Sequence, residues 1–395
     1  MRLLFVIEND QPHASGGGYY APFKFAEFLA RRGHDVIVYA AHDMGWVAAG
    51  SGLRVIYRPS LPRSNRPLRK VDKAVASISR RVLLARAARA HRPEWVIGVF
   101  KESAIAAVAV GRRVGARVAN FVYECPPWLR EMAGEEAYTR EYRGDTRDLW
   151  ERTRRAYLES DLLFPNSELS RQWNSRWLGG REVAEPIHPG IDTTLMPAGD
   201  PDAAPPDRQT RQVLYVGRLA PLKNVDRLIA ACLRLDPPPE LHICGEGPER
   251  GRLVALAAGH RSVIFHGFIS DADLWERYRE ADLVVSPSSF EGFGMPPMQA
   301  LYFGKPCLVS DIPIFRSVYG NHLEYVPPGD VDALAAAVRG LLADPDYRRA
   351  RGAAGRRFVL ERFTWQESAR RIEAALAAAS ALPAASILPA AGVRR

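Results

Sequence analysis

Cysteine is scarce. The 395 residues hold four (Cys125, Cys232, Cys244 and Cys307), none in a CxxC pair, which excludes a disulfide scaffold or zinc ribbon and fits a reducing compartment. Long apolar runs are lacking as well. The opening Leu3-Leu4-Phe5-Val6-Ile7 stops at Glu8, too short for the core of a signal peptide. The 20 residues 374–393 carry no charge, but half of them are alanine and they contain Pro383 and Pro389. That composition reads as a helix end and a flexible tail rather than a bilayer span. GxxxxGK[ST], GxSxG, HExxH and GxGxxG are all missing, so nothing points to a P-loop, a serine-hydrolase elbow, a zinc protease or a nicotinamide-cofactor fingerprint. The expectation is a cytoplasmic protein with no cofactor and no metal.

What is present is ordinary globular composition, 47% apolar and 25% charged, with an uneven excess of positive charge. Lys and Arg number 54 against 45 Asp and Glu, a net +9. Between Arg54 and Pro93 stand 12 basic residues and one acid, Asp72. Within this stretch Leu68, Val71, Val75, Ile78 and Val82 recur at helical steps, with Arg69, Lys70, Lys73, Arg80 and Arg81 largely off the stripe. This is either a solvated basic helix face or a surface that docks on an anionic membrane leaflet. Nucleic acid is not expected as a partner, because no RNA module and no stacking aromatics accompany the charge.

Short apolar runs alternate with helical patterns along the chain. Strands are expected at Leu3–Ile7, Val36–Tyr39, Glu94–Phe100, Arg117–Tyr123, Val213–Val216, Leu241–Cys244, Val263–Phe265, Leu283–Ser286 and Cys307–Val309. Helices are expected before Gly33, from Asn224, over Asp271–Glu280, near Met295–Phe303 and over Val331–Leu342. Such alternation implies parallel βαβ units. Around 196–211 the pattern breaks into MPAGDPDAAPPDRQTR, a composition that suits a linker. The expected fold is α/β: two Rossmann-like doubly wound domains facing across a cleft, where ligands gather at the carboxyl ends of strands. The expected division is an N-terminal Rossmann-like domain 1–195, the linker 196–211, a C-terminal Rossmann-like domain 212–360, a helix 361–381 and a flexible tail 382–395.

Two loops carry chemistry. Val216-Gly217-Arg218-Leu219-Ala220-Pro221-Leu222-Lys223-Asn224 sets two cations after a strand, a pattern that suits a diphosphate clamp; on spacing alone it suits an ordinary solvated loop equally. Pro287-Ser288-Ser289-Phe290-Glu291-Gly292-Phe293-Gly294-Met295-Pro296-Pro297 runs from a strand into a helix that starts with prolines. The start of that helix offers free amides and the positive end of a dipole to an anion. Asp271-Ala272-Asp273 superficially matches a metal-binding DxD, but Ser270 and Asp273 read better as a helix N-cap pair.

Taken together, VGRLAPLKN, ICGEGPE, GFISDADLWERYREADLVVSPSSFEGFGMPPMQALYFGKPCLVSDIP and PPGDVDALAAAV resemble the family-4 retaining glycosyltransferases of the GT-B fold. The SGGG loop, RRGHDVIVYA and HPGID agree more loosely. The resemblance implies a metal-independent retaining hexosyltransferase that moves a hexose or deoxyhexose from a nucleotide-diphosphate sugar to a glycan, lipid-linked or small-molecule acceptor. It implies that domain 1–195 binds the acceptor, that domain 212–360 binds the nucleotide sugar, and that the helix 361–381 packs back on the first domain. It implies that Arg218, Lys223 and Glu291 are catalytic, and that Gly16, Gly17, Gly217, Phe268, Glu291, Gly292, Phe293, Gly294 and Gln299 bind the donor. His13 and Glu124 are candidate acceptor contacts. One position departs from the family: Gln299 stands where a second glutamate usually holds the ribose, although its carbonyl can still accept a hydrogen bond. That departure keeps a second reading open, a GT-B-fold sugar-nucleotide-binding protein with weak or no catalysis.

Overall fold

The computed structural model describes residues 1–7, 17–40, 51–57, 82–141, 147–194, 196 and 210–382. His13, Gly16, most of the basic stretch 54–93, most of the expected linker and the tail beyond Leu382 lie outside these residues. Two compact units form. One comprises Met1–Trp128, Tyr142–Gly190 and Trp365–Arg395; the other comprises Leu129–Glu141 and Ile191–Thr364.

The elements run in chain order as β1 (Arg2–Ile7), α1 (Gly17–Arg31), β2 (Asp35–Ala40), β3 (Arg54–Tyr57), α2 (82–91), β4 (Trp95–Val99), α3 (Lys101–Val114), β5 (Arg117–Val122), α4 (Pro126–Ala133), α5 (Glu135–Glu141), α6 (Arg147–Leu158), β6 (Leu162–Pro165) and α7 (Glu168–Trp177). The first unit's sheet is all parallel, in the order β3-β2-β1-β4-β5-β6. Its central strands are continuous apolar runs because helices cover both faces. Leu3, Leu4, Phe5 and Val6 are fully buried, as are Trp95, Val96 and Ile97.

The chain continues through β7 (Gln212–Val216), α8 (Val225–Leu233), β8 (Glu240–Cys244), α9 (Arg250–Leu256), β9 (Val263–Gly267), α10 (Asp271–Glu280), β10 (Leu283–Ser286), α11 (Met295–Tyr302), β11 (Cys307–Ser310), α12 (Pro313–Tyr319), β12 (Glu324–Val326), α13 (Val331–Ala343), α14 (Pro345–Arg362) and α15 (Trp365–Ser380). The second sheet reads β12-β11-β10-β7-β8-β9, again all parallel. Counted from its own first strand this is the same 3-2-1-4-5-6 order as the first sheet. Each sheet therefore has one topological switch point, between its first and fourth strands, where the loops at the carboxyl ends diverge and leave a crevice.

α15 is held in the first unit. Trp365, 1% exposed, meets the rings of Tyr20 at 5.9 Å and Phe25 at 5.5 Å, and Trp95 Nε1 donates to Ser380 Oγ at 3.1 Å. Among the described residues no helix is long and apolar enough to cross a membrane.

Candidate functional site at the switch point of the second sheet

The β7 and β10 strands lie side by side with Leu283 opposite Val213 and Val284 opposite Leu214. That register brings the loops after Val216 and Ser286 to one level at the switch point. They are stitched together there: the Ser289 amide donates to the Leu222 carbonyl at 2.9 Å, and Asn224 Nδ2 donates to the Pro287 carbonyl at 3.0 Å. Asn224 takes a left-handed conformation (φ 51°) directly after the one-turn 3-10 helix Pro221–Lys223, a conformation that asparagine tolerates better than most side chains. The turn aims Lys223 back across the crevice. Its Nζ lies 2.7 Å from Glu291 Oε1, and Ser288 Oγ donates to the same oxygen at 2.8 Å.

Close backbone approach shapes the crevice. Gly245, at φ 139°, lies against the loop after β7, and a Cβ there would fall 2.0 Å from the Gly217 carbonyl oxygen. Gly294 precedes α11 at φ 89°, and a Cβ there would sit 2.5 Å from the Phe315 ring. Only glycine fits either position.

Three buried tyrosines brace the loops. Tyr215 donates to the Arg218 carbonyl at 3.1 Å, Tyr278 to Gln299 Oε1 at 3.0 Å, and Tyr319 to the Gly294 carbonyl at 2.5 Å. Burial pushes the pKa of all three phenols upward, so each stays protonated and acts as a donor.

Lys223, Glu291, Gly217, Gly292 and Gly294 thus come together on the two stitched loops at this switch point. Arg218 stands exposed on the first loop, and Gln299 lies half-buried within α11. The Phe293 ring is buried between Tyr319 and Phe363. Phe268 is set apart: it is 81% exposed after β9, and β8 separates that strand from β7. Ser288, Asn224 and the three tyrosines are bonded to these loops or to α11, and the sequence patterns did not single them out. A buried hydroxyl leaves no periodic signature.

In the first unit Gly17 opens α1, and Glu124 lies half-buried just past β5. The turn after β4, at that sheet's switch point, is strained: Phe100 and Lys101 both take positive φ, 58° and 41°, a costly choice for consecutive non-glycine residues. Ser270 caps α10. Its hydroxyl accepts from the Asp273 amide at 3.2 Å and donates to Asp273 Oδ2 at 2.6 Å. Among the described residues no group of three or more His, Cys, Asp or Glu is placed to hold a metal ion.

Comparison with solved structures decides the architecture. Sucrose-phosphate synthase from Thermosynechococcus elongatus superposes with a TM-score of 0.76 at 21% identity, over 96% of this chain and 100% of that one. The fold is GT-B. A second GT-B structure, Anabaena HepE in complex with UDP-glucose, matches with a TM-score of 0.72 at 14% identity, over 95% and 99% of the two chains. In sequence, residues 200–358 match the family described as Glycosyl transferases group 1, the segment that carries the stitched loops. Glycogen synthase of Mycobacterium tuberculosis is 35% identical over 188 residues, 46% of this chain and 45% of that protein, so the chain spans a little under half of that relative. Along nearly the whole length, 95% of this chain and 98% of the relative, it is 27% identical to a GDP-mannose-dependent alpha-(1-6)-phosphatidylinositol monomannoside mannosyltransferase of Mycolicibacterium smegmatis.

Proposed function

We propose that this protein is a retaining glycosyltransferase that moves a hexose from a nucleotide-diphosphate sugar to an acceptor. The observation that carries this reading is the Lys223–Glu291 pair at the switch point of the second sheet, inside the segment that matches group 1 glycosyl transferases. Breaking the bond between the anomeric carbon and the phosphate oxygen builds negative charge on the diphosphate. Arg218, Lys223 and the first amides of α11 supply fixed positive charge and donors there, and such preorganised stabilisation is commonly the largest catalytic contribution. Glu291 takes a hydroxyl of the transferred sugar. The leaving phosphate accepts the acceptor's proton on the same face, so the configuration at the anomeric carbon is retained. A double displacement would need two carboxylates about 5 Å apart, and at this crevice Glu291 is the only carboxylate that the sequence and the family resemblance assign. The side-chain cations do the work of a divalent ion, so EDTA leaves turnover unchanged; a loss restored by manganese would refute this.

The second unit takes the donor and the first the acceptor, with Glu124 as an acceptor contact. The full-length likeness to a GDP-mannose-dependent phosphatidylinositol mannoside mannosyltransferase favours GDP-mannose as donor and a lipid-linked acceptor. The basic stretch 54–93 suits docking on the anionic surface that holds such an acceptor. Thermal shift of the purified chain with GDP-, UDP- and dTDP-sugars tests the donor. A ligand present at 100 times its Kd adds about 2.7 kcal/mol, and no shift with any of them would remove the reading. Flotation with acidic and neutral vesicles at low salt tests the surface, and equal binding to both would remove it.

A further inference from the structure

A single oxygen of Glu291 is held from two sides. Lys223 Nζ lies 2.7 Å from Oε1 and Ser288 Oγ donates to it at 2.8 Å. Ser288 is 0% exposed, and its one hydroxyl proton is committed to this bond, so the side chain cannot itself donate to a ligand. Whatever it does passes through the carboxylate. The backbone on either side is pinned by the bonds Ser289–Leu222 and Asn224–Pro287. The hydroxyl is therefore a fixed post, and the Glu291 side chain is the part that can turn. With Oε1 taken by Ser288 and Lys223, Oε2 is the oxygen that neither of them engages.

We propose that Ser288 is a positioning residue that sets the Glu291 carboxylate so that it stores the Lys223 ammonium at the switch point, to be surrendered to an incoming diphosphate. The proposal rests on the donor-site reading above. Two opposing effects follow from the pair. Pairing keeps the long lysine side chain out of solvent-directed rotamers, which lowers the ordering cost when a ligand arrives. It also makes Glu291 a competitor for the same cation. In a pair this far out of water, with Lys223 23% and Glu291 15% exposed, competition outweighs preorganisation, because the incoming diphosphate must displace a charge-assisted hydrogen bond of short length. Once Lys223 has moved to phosphate, Ser288 still holds Oε1 and leaves Oε2 to the sugar.

Titration calorimetry of the full chain with GDP, GDP-mannose, UDP and UDP-glucose tests this. Glu291→Gln removes the competing charge and keeps an acceptor for Ser288, so the nucleoside diphosphate of the accepted base binds tighter, by about threefold or more, on the scale of one weakened ion pair. Ser288→Ala shifts the nucleoside diphosphate in the same direction by less. In Ser288→Ala the nucleotide sugar loses about tenfold relative to its nucleoside diphosphate, the scale of one hydrogen bond to a charged group. A residue that merely packs the loop would weaken both ligands together. Unchanged or weaker nucleoside diphosphate binding in Glu291→Gln, or parallel losses in Ser288→Ala, overturns the proposal. A crystal structure of ligand-free Ser288→Ala separates its failure from that of the donor reading. Glu291 is expected to have swung beyond about 4 Å from Lys223, the limit of an ion pair; a pair kept in place refutes the role of Ser288 whether or not any nucleotide binds.

Discussion

Tyr278, fully buried and stacked flat on Phe303, donates its hydroxyl proton to the side-chain carbonyl of Gln299 at 3.0 Å. The acceptor end of the amide is thereby engaged inside the protein, and the NH₂ end is the end that remains for a ligand. A glutamate there would accept from Tyr278 on one oxygen and keep another acceptor for a ribose hydroxyl. Gln299→Glu is therefore expected to sharpen discrimination against 2′-deoxyribose. The ratio of Kd values for 2′-deoxy-GDP and GDP, or for the uridine pair, should rise about tenfold, since a hydrogen bond to a charged group contributes about 1.5 kcal/mol or more. Calorimetry on the two proteins checks this, and an unchanged ratio would place Gln299 away from the ribose.

Loss of either cation should be felt mainly in turnover. Lys223→Ala or Arg218→Ala is expected to lower kcat by about 10²-fold or more, the scale of removing one preorganised charge-stabilising donor. Nucleotide release from the accepted donor measures it, and wild-type-like turnover in both variants would defeat the assignment.

Gly245→Ala tests the close approach of the two loops. Its Cβ would meet the Gly217 carbonyl at 2.0 Å from a backbone at φ 139°, so strain and displacement of the loop add. We expect a stability loss of about 2 kcal/mol or more. Gly259 also has positive φ, but nothing lies within 4 Å of an added Cβ, so Gly259→Ala should cost only about 1 kcal/mol. Urea unfolding of both variants reads the difference, and equal costs would mean that the contact yields freely.

Stability should fall on mild acidification. His242 Nδ1 lies 2.9 Å from His266 Nε2, and the two rings stack at 5.2 Å. Both imidazoles are held below the ordinary value of 6.5, chiefly by burial. At His242 the Glu240 hydrogen bond opposes and Arg277 lowers; at His266 the His242 ring and Arg277 both lower, and Glu280 opposes at each. The folded pKa values are the lower ones, so the unfolded chain binds more protons as pH drops. The stability these groups lend is complete above pH 6.5 and declines as pH falls from there toward the folded values. His242→Phe is expected to flatten the dependence of the urea midpoint between about pH 7.5 and 5.5. The slope should not vanish, because His34 and His322 are depressed in the same direction. An unaltered slope would show that the pair does not titrate with unfolding.

Much of the architecture is legible in the sequence alone. Interior parallel strands are covered on both faces, so β1, β4, β7 and β10 had to be written as apolar runs, and glycines and prolines had to punctuate the turns around them. Three of the four edge strands were harder to see. β3, β6 and β12 each pair on one side only and have three or four residues. Most of β3 is exposed and most of β12 is only partly buried, so no clean apolar run marks them.

The residue types of the crevice were likewise written in the chain: Arg218, Lys223 and the glycines beside them suit an anionic ligand, and Glu291 suits a hydroxyl donor. Their partnerships were not. Nothing in spacing says that Lys223 meets Glu291, that Ser288 shares the same oxygen, or that Tyr278 occupies the carbonyl of Gln299. Those pairings depend on the parallel register of β7 against β10 and on how far α10 and α11 pack past each other. Local patterns carry periodicity, whereas a hydrogen bond of about 3 Å needs two distant segments placed to within a fraction of an ångström, which only the assembled core can do.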